Sequence, residues 1–343
     1  MRIAIVSDIH ANLAAFEAVI AHARAQGYDS MICLGDVVGY GPDPLECVDL
    51  VRSTCAWSLL GNHDFAALYE PTNFNPVARN AAFWTRAQVF GATSPAHIEK
   101  SVAALDARRA AGEIDAADFE RRAAMLRDPK SRVDYLFSIS PRHVMLDRYI
   151  CVHGSPTRPV NEYLFPTDAE QNAHRIERSF RMLTLPSPTG MPQRVSAFVG
   201  HTHVPGFFLE DREFGDASSG SRGASTGTRS RNEASVEWVG VPADITSWTP
   251  GENEMPRGMR FILNPGSVGQ PRDRDPRASY AILDTGGNDA GASASATASG
   301  EPDRFTFHRV EYDIARTQRK LHDLRAAGAD LDPWLAERLE LGQ

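Results

Sequence analysis

Leu34-Gly35-Asp36-Val37-Val38-Gly39-Tyr40-Gly41-Pro42 is the stretch where a hydrophobic run ends in a lone acid and passes into a Gly- and Pro-rich turn. The run before it, Ser30-Met31-Ile32-Cys33-Leu34, reads as a buried strand that fixes the position of the acid. Gly39 and Gly41 let the backbone turn away sharply. A carboxylate has two oxygens and can hold one cation with each, so Asp36 is a candidate bridge between two metal ions. Alone, the stretch fits an acid capping a turn or a helix better than it fits a metal bridge. The rest of the chain has to distinguish the two.

Working outward towards the N-terminus, Met1 to Val6 reads as a first, short strand and is followed by Ser7-Asp8-Ile9-His10. A helical pattern then places Leu13, Phe16, Val19, Ile20 and Ala23 on one face, with Asn12 as N-cap and Gly27 as stop. Residues 1 to 34 therefore form a β-α-β unit, whose crossover favours parallel pairing and leaves both following loops at the strands' carboxyl ends. Asp8, His10 and Asp36 share one edge.

The same arrangement recurs downstream. A helix near Pro44 to Ser53 leads to Trp57-Ser58-Leu59-Leu60, which ends in Gly61-Asn62-His63-Asp64. The runs His143 to Leu146 and Tyr149 to Val152, joined at Asp147-Arg148, have hairpin spacing, and the second ends in His153-Gly154-Ser155-Pro156. After a polar helix around 168 to 183, Val195 to Val199 stops at Gly200-His201-Thr202-His203. Residues 76 to 90 read as a further helix, and 92 to 131, rich in Ala, Arg, Asp and Glu, as a helical insertion. The Ser/Gly-rich segments 211 to 235 and 286 to 303 read as flexible insertions. Met259 to Leu263, Ser279 to Leu283 and Arg304 to Tyr312 read as strands of a second sheet, and two helical patterns close the chain.

Composition narrows the classes. The chain has 343 residues, which we read as one domain over 1–343 carrying those insertions. A net charge of -8 argues against bulk nucleic-acid binding. Cys33, Cys47, Cys55 and Cys151 form no C-x-x-C pair and read as reduced thiols. With no secretory leader and no apolar run near the roughly 18 residues that span a bilayer, the expectation is a cytoplasmic protein without a membrane partner.

Seven candidate ligands thus stand at the ends of separate apolar runs: Asp8, His10, Asp36, Asn62, His153, His201 and His203. Carboxylate, amide and imidazole together suit Mn, Fe or Zn better than Ca or Mg. Seven ligands sharing one carboxylate match two divalent metal ions completed by water. Paired ions stabilise the attacking and leaving oxygens of an in-line phosphoryl displacement and lower the pKa of bound water, so phosphoester hydrolysis is the chemistry this set fits. Each piece has a structural alternative: a capping Asp8 beside a surface His10, a satisfied core His153, an H-x-H loop without metal.

The ordered series D-x-H, G-D, G-N-H-D, lone H-G and G-H-x-H resembles the calcineurin-like metallophosphoesterase superfamily. The resemblance implies an α/β fold, a four-layer α/β/β/α sandwich of two mixed sheets flanked by helices. It implies one ion on Asp8, His10, Asp36 and His203 and another on Asp36, Asn62, His153 and His201. It makes His63 the catalytic general acid or transition-state donor, with Asp64 its neighbour rather than a ligand. Protein phosphatases of this superfamily carry G-D-x-x-D-R-G and R-G-N-H-E, whose arginines grip a dianionic monoester. Gly39, Tyr40 and Leu60 stand at those positions here, which favours a phosphodiester unless Arg272 or an insertion arginine substitutes. The N-P-G-S loop at Asn264 to Ser267 is similar to that of small prokaryotic phosphodiesterases, and Ser7 to Asn12 is similar to dinucleoside tetraphosphatases, with Ala11 for their Gly. The resulting expectation is a dinuclear phosphodiesterase acting on a small phosphoester or nucleotide, with Asn12 and Arg272 as substrate-binding candidates. The alternatives are a phosphomonoesterase or serine/threonine protein phosphatase and, from another class, a non-catalytic binding scaffold of the same fold.

Overall fold

Alternation along the first strand, β1 (Arg2–Val6), sets the layers: Ile3 and Ile5 belong to one buried apolar cluster, Ala4 and Val6 to another. A strand buried on both sides needs cover on both faces of its sheet. The computed structural model describes residues 1–91, 95–128, 130–187, 190–210, 236–256, 258–285 and 303–343. The expected insertions at 211–235 and, except for residue 303, at 286–303 lie outside the described residues.

Helix α1 (Leu13–Gln26) starts where Asn12 accepts the N–H of Ala15 and ends at Gly27, returning the chain to β2 (Ser30–Cys33), parallel to β1. Helix α2 (Pro44–Thr54) leads to β3 (Trp57–Ser58), parallel to β2. Four helices follow before the second sheet: α3 (Asn62–Leu68), α4 (Pro76–Gly91), α5 (Pro95–Ala110) and α6 (Ala116–Arg127). A fifth, α7 (Lys130–Ser138), lies largely past the limit expected for the helical segment. Next come β4 (Arg142–Met145) and β5 (Tyr149–Val152), then α8 (Asp168–Gln171) and α9 (Ala173–Met182). A two-stranded ribbon, β6 (Thr184–Leu185) with β7 (Gln193–Arg194), precedes β8 (Ser196–Phe198), β9 (Gly206–Glu210) and β10 (Val236–Gly240). The chain ends with β11 (Ser247–Trp248), β12 (Phe261–Asn264), β13 (Ala278–Asp284), β14 (Arg304–Val310), α10 (Ile314–Ala326) and α11 (Trp334–Leu341).

One six-stranded sheet runs β11-β14-β13-β1-β2-β3 and the other β10-β9-β12-β8-β5-β4, each mixing parallel and antiparallel pairs. Ile3, Ile5, Ile32 and Leu34 of the first meet Cys151, Phe198, Phe207 and Leu263 of the second in the central core. Helices α1 and α2 cover the outer face of the first sheet, and α9, through Ile176 and Phe180, covers the second. The four-layer α/β/β/α arrangement expected from the resemblance is the one observed. Two local expectations are corrected. Ser279 to Leu283 and Arg304 to Tyr312 do not join the second sheet: β13 pairs antiparallel with β1 and β14 with β13, and only β12 lies in the second sheet. The β4–β5 connection is Leu146-Asp147-Arg148, one residue longer than the expected Asp147-Arg148, and its tight turn is centred on Leu146 and Asp147. Both are left-handed, at φ 53° and 51°, the twist a tight hairpin turn needs.

The α5–α6 hairpin carries a small core of Leu105, Phe119, Ala123 and Leu126 and packs on α2. Arg108 of α5 and Arg316 of α10 both pair with Glu17 of α1, at 2.6 and 2.9 Å. The hairpin therefore backs the outer helix layer. Arg132 of α7 grips Asp49 of α2 through Nε and Nη2 at 2.7 to 3.0 Å, both side chains buried. Arg132→Ala is expected to cost about 3 kcal/mol, because it leaves the buried Asp49 carboxylate to the more distant Arg52, at 3.7 Å. Urea unfolding measures this. Adding Asp49→Ala to the same chain should recover part of the loss, whereas Arg132→Lys, lacking the planar fork, should not match the wild type. Among the described residues no helix is long and apolar enough to cross a membrane.

Candidate metal centre

Strands β1, β2, β3, β5 and β8 all release their loops at one end of the sandwich, and backbone hydrogen bonds knit those loops together. Asp8 N donates to Gly35 O at 3.0 Å, His10 N to Asp36 O at 2.9 Å and Gly200 N to His153 O at 2.8 Å. Across the sheets, His201 N donates to the Asp8 carboxylate at 3.1 to 3.2 Å. Asp8, His10, Asp36, His201 and His203 all have left-handed backbones, with φ from 49° to 66°. For residues other than glycine that conformation costs on the order of 1 kcal/mol each, and it persists only where the surroundings impose it. The sharp turns swing these side chains inward at the strand ends.

The side chains converge in two groups, Asp8, His10, Asp36 and His203, and Asp36, His153 and His201. In each, one donor atom per residue lies within 4.8 Å of all the others, and every member is buried. Asn62, in the first turn of α3, places Oδ1 3.2 Å from His153 Nε2. Asp36 belongs to both groups, though not with one oxygen for each. Its Oδ1 accepts the backbone N–H of His63 at 2.8 Å, while Oδ2 is the oxygen 3.3 Å from His153 Nε2 and 3.6 Å from His10 Nε2. Sharing between the groups runs through Oδ2.

Two ring orientations are set from behind. His153 Nδ1 lies 3.0 Å from the carbonyl of Leu34 and His203 Nδ1 lies 2.5 Å from that of Gln270. A carbonyl only accepts, so each Nδ1 carries a proton and each Nε2 faces inward, the nitrogen that a cation would take. His10 Nε2 and His203 Nε2 are 3.1 Å apart, and His201 Nε2 is buried without a hydrogen-bond partner. Converging lone pairs, an orphaned imidazole nitrogen and two buried carboxylates are the donor set of a borderline divalent cation. The residues present fit such ions.

At His10, His201 and His203 protonation agrees with that chemistry, and His153 is the exception. Burial, reinforced by neighbouring histidines and Arg272, pushes His10 and His201 well below the usual imidazole range. Burial and Arg272 lower His203 against the pull of Asp8. Neutral imidazole is the ligating form. Burial opposes a charge on His153, but Asp36 foremost, with Asp8 and Asp64, lifts it to about 9. Burial also works against ionisation of Asp8 and Asp36, yet His203 beside one and His153 beside the other hold both below the usual carboxylate range.

His63 stands at the rim, outside both groups. Its ring packs 4.2 Å from Tyr40, 4.7 Å from Phe74 and 4.9 Å from His10, and burial brings it down to about 4. Gly39 makes this approach possible: at φ 93°, a Cβ there would lie 2.5 Å from His63 Nδ1. Arg272 approaches through its backbone N–H, 3.4 Å from His203 O. Asn12, expected at the substrate, is instead used up inside the protein. Its Oδ1 accepts from Ala15 N and Thr317 Oγ1, and its Nδ2 donates to Gly269 O and Tyr312 Oη, which fills all four positions of the amide.

Three residues outside the ligand set support it. Tyr163 stacks on His201 with ring centres 3.7 Å apart. Gln270 holds His203 by its main chain. Asp64 accepts Val38 N at 3.1 Å and Gly61 N at 3.0 Å, binding the Asp36 loop to the Asn62 loop, and burial with the charge of Asp36 raises it to about 7. Only Asp64 had a local signal, since an acid three residues after a helix-capping Gly61 is a capping pattern.

Comparison with known proteins agrees with this geometry. A family model described as calcineurin-like phosphoesterase matches residues 1–205. The crystal structure of a metallophosphoesterase from Sphaerobacter thermophilus is 34% identical, with a TM-score of 0.61, over 100% of this chain and 99% of the other. An uncharacterized protein of Methanocaldococcus jannaschii is 28% identical over 99% of this chain and 98% of its own length. A hypothetical protein of Pyrococcus horikoshii, 16% identical with a TM-score of 0.50 over 100% and 98% of the two chains, shares the fold. With the family model spanning more than half of the chain and a buried cluster of metal-ligand types inside it, this protein belongs to the calcineurin-like phosphoesterase family and is a metal-dependent phosphoester hydrolase.

Proposed function

We propose that the protein is a dinuclear phosphodiesterase acting on a phosphodiester or nucleotide-type substrate. The observation that carries the dinuclear reading is the sharing of Asp36 by two buried ligand groups. Asp8, His10, Asp36 and His203 would hold one ion of the Mn, Fe or Zn type; Asp36, Asn62, His153 and His201 would hold the other. Bound there, such ions supply positive charge to an in-line displacement at phosphorus and a water acidic enough to ionise near neutral pH. His63, neutral and carrying one N–H, donates to the leaving-group oxygen, its ring held at the rim by Tyr40 and Phe74. Diester preference is supported by positions 39, 40 and 60, where Gly, Tyr and Leu replace the acid and the two arginines of the protein phosphatases and leave Arg272 as the arginine beside His203. The four cysteines are all free, in keeping with a reducing, cytoplasmic setting.

Metal content of the purified protein, measured beside hydrolysis of bis-p-nitrophenyl phosphate and p-nitrophenyl phosphate with added Mn, tests this reading. Two metals per chain and preference for the diester are expected. A metal-free, inactive protein would overturn the enzyme, and preference for the monoester would overturn the substrate class. His63→Ala should keep its metal content while kcat falls about 10²- to 10³-fold, the usual loss when a transition-state proton donor is removed.

A further inference from the structure

Of the three tyrosines buried among the described residues, two have their hydroxyls satisfied inside the protein. Tyr149 Oη donates to Asp303, and Tyr280 Oη lies 2.8 Å from His22 Nδ1. Tyr40 is the third. Only 9% of its surface is exposed, yet no protein group among the described residues hydrogen-bonds its hydroxyl. The oxygen is not sealed off either: the buried polar atoms without a partner include Nδ1 of the adjacent His63 ring but not Tyr40 Oη, so the hydroxyl meets solvent. A tyrosine buried along its ring and open at its tip is built to bond something there.

The ring has a fixed place. Tyr40 belongs to one apolar cluster with Ala78 and Ala81 of α4 and Leu335 and Leu339 of α11. Its ring centre lies 4.2 Å from that of His63 and 4.9 Å from that of His10, and the Arg338 guanidinium lies 5.8 Å from it. Its backbone is left-handed, at φ 61°, a conformation that an aromatic residue holds only where its surroundings impose it. His10 belongs to one metal-ligand group and His63 stands at the rim, so a ring packed on both stands where ligand cluster and rim meet. We propose that the Tyr40 hydroxyl is a substrate-binding donor, giving a hydrogen bond to an oxygen of the phosphoryl group that lies on the metal centre. Tyr163 supports that placement. It stacks on His201 of the other ligand group; burial raises its phenol, and Arg272, Tyr40 and Asp36 all act on it, so the two phenols border one space above the cluster. Because no protein group uses the Tyr40 hydroxyl, its removal should cost the fold nothing and be felt only when a phosphoryl group is bound.

This inference rests on the proposed phosphodiesterase reading for its substrate, but one arm of its test does not depend on turnover. Tyr40→Phe keeps the ring on His63 and His10 and deletes one oxygen. Metal-loaded wild type and variant are compared for kcat/KM on bis-p-nitrophenyl phosphate, for affinity towards inorganic phosphate by calorimetry, and for metal content and thermal midpoint. The variant is expected to lose about tenfold in both kcat/KM and phosphate affinity, the size of one hydrogen bond to a charged group, while metal content and midpoint stay as in the wild type. Unchanged kcat/KM and phosphate affinity would leave the hydroxyl to solvent. A fall in midpoint or metal content that accompanies the loss would make Tyr40 a structural residue; either result overturns the proposal. If wild type fails to hydrolyse bis-p-nitrophenyl phosphate, the diesterase reading fails, while the ratio of phosphate affinities still decides the role of the hydroxyl.

Discussion

Replacing Asp36 with Asn is expected to lower turnover by about 10³-fold and to deplete metal from both ligand groups at once. The reason lies in how the carboxylate is divided. Oδ1 is committed to the backbone N–H of His63, and Oδ2 is the atom common to the two groups. In the variant the amide oxygen retains the contact with His63, since the amide NH₂ in that place would set donor against donor. The NH₂ therefore replaces Oδ2 and points hydrogens at His10 and His153, where lone pairs have to meet a cation. Single replacements at His201 or Asn62 disturb one group only. Metal content per chain and kcat, measured on the same preparations, check the result. Retention of two metals with full activity would show that Asp36 is not shared.

Much of this arrangement was legible in the sequence, because it depends on local order. An apolar run followed at once by Asp, Asn or His places that residue at a strand end, and a β-α-β crossover puts successive strand ends on one edge. Asp8, His10 and Asp36 follow from that rule alone, and the remaining ligand candidates repeat it. What escaped reading depends on partners distant in the chain. β13 has an alternating pattern that suits either sheet, and its place beside β1 is a pairing between residues about 280 positions apart in sequence, Arg2 with Asp284 among them. Asn12 carries a side chain suited to a phosphate, but Thr317 and Gly269 claim it first. Arg338 sits in an ordinary amphipathic helix, and nothing within several residues of it hints at Tyr40. The left-handed backbones of the ligands were invisible for a related reason: they are imposed by neighbouring loops, not preferred by Asp or His in isolation.

The second large effect is expected at a residue that binds nothing. Gly61→Ala should destabilise the protein by about 3 kcal/mol and abolish metal binding, although it adds only one methyl group. A Cβ at Gly61 would stand 2.0 Å from Asp36 Oδ1 and 2.3 Å from Asp36 N. The backbone at Gly61, φ -85°, suits alanine, so the penalty is steric rather than conformational. Neither side can withdraw. Asp36 is tied through Oδ1 to His63 N and through its carbonyl to His10 N. Gly61 N is tied to Asp64, which also holds Val38. Moving the loops apart separates Asn62 from the groups that share Asp36, so the loss of stability and the loss of metal are one event. Gly91→Ala at the end of α4 is the control, because a Cβ there meets nothing within 4 Å. It should leave stability unchanged or raise it by about 0.5 kcal/mol through reduced unfolded-state freedom. Thermal unfolding and metal analysis of the two variants, made side by side, should therefore move in opposite directions or in one variant only. Equal behaviour would mean that the Asp36 and Gly61 loops can part without cost and that their close contact does not hold the centre together.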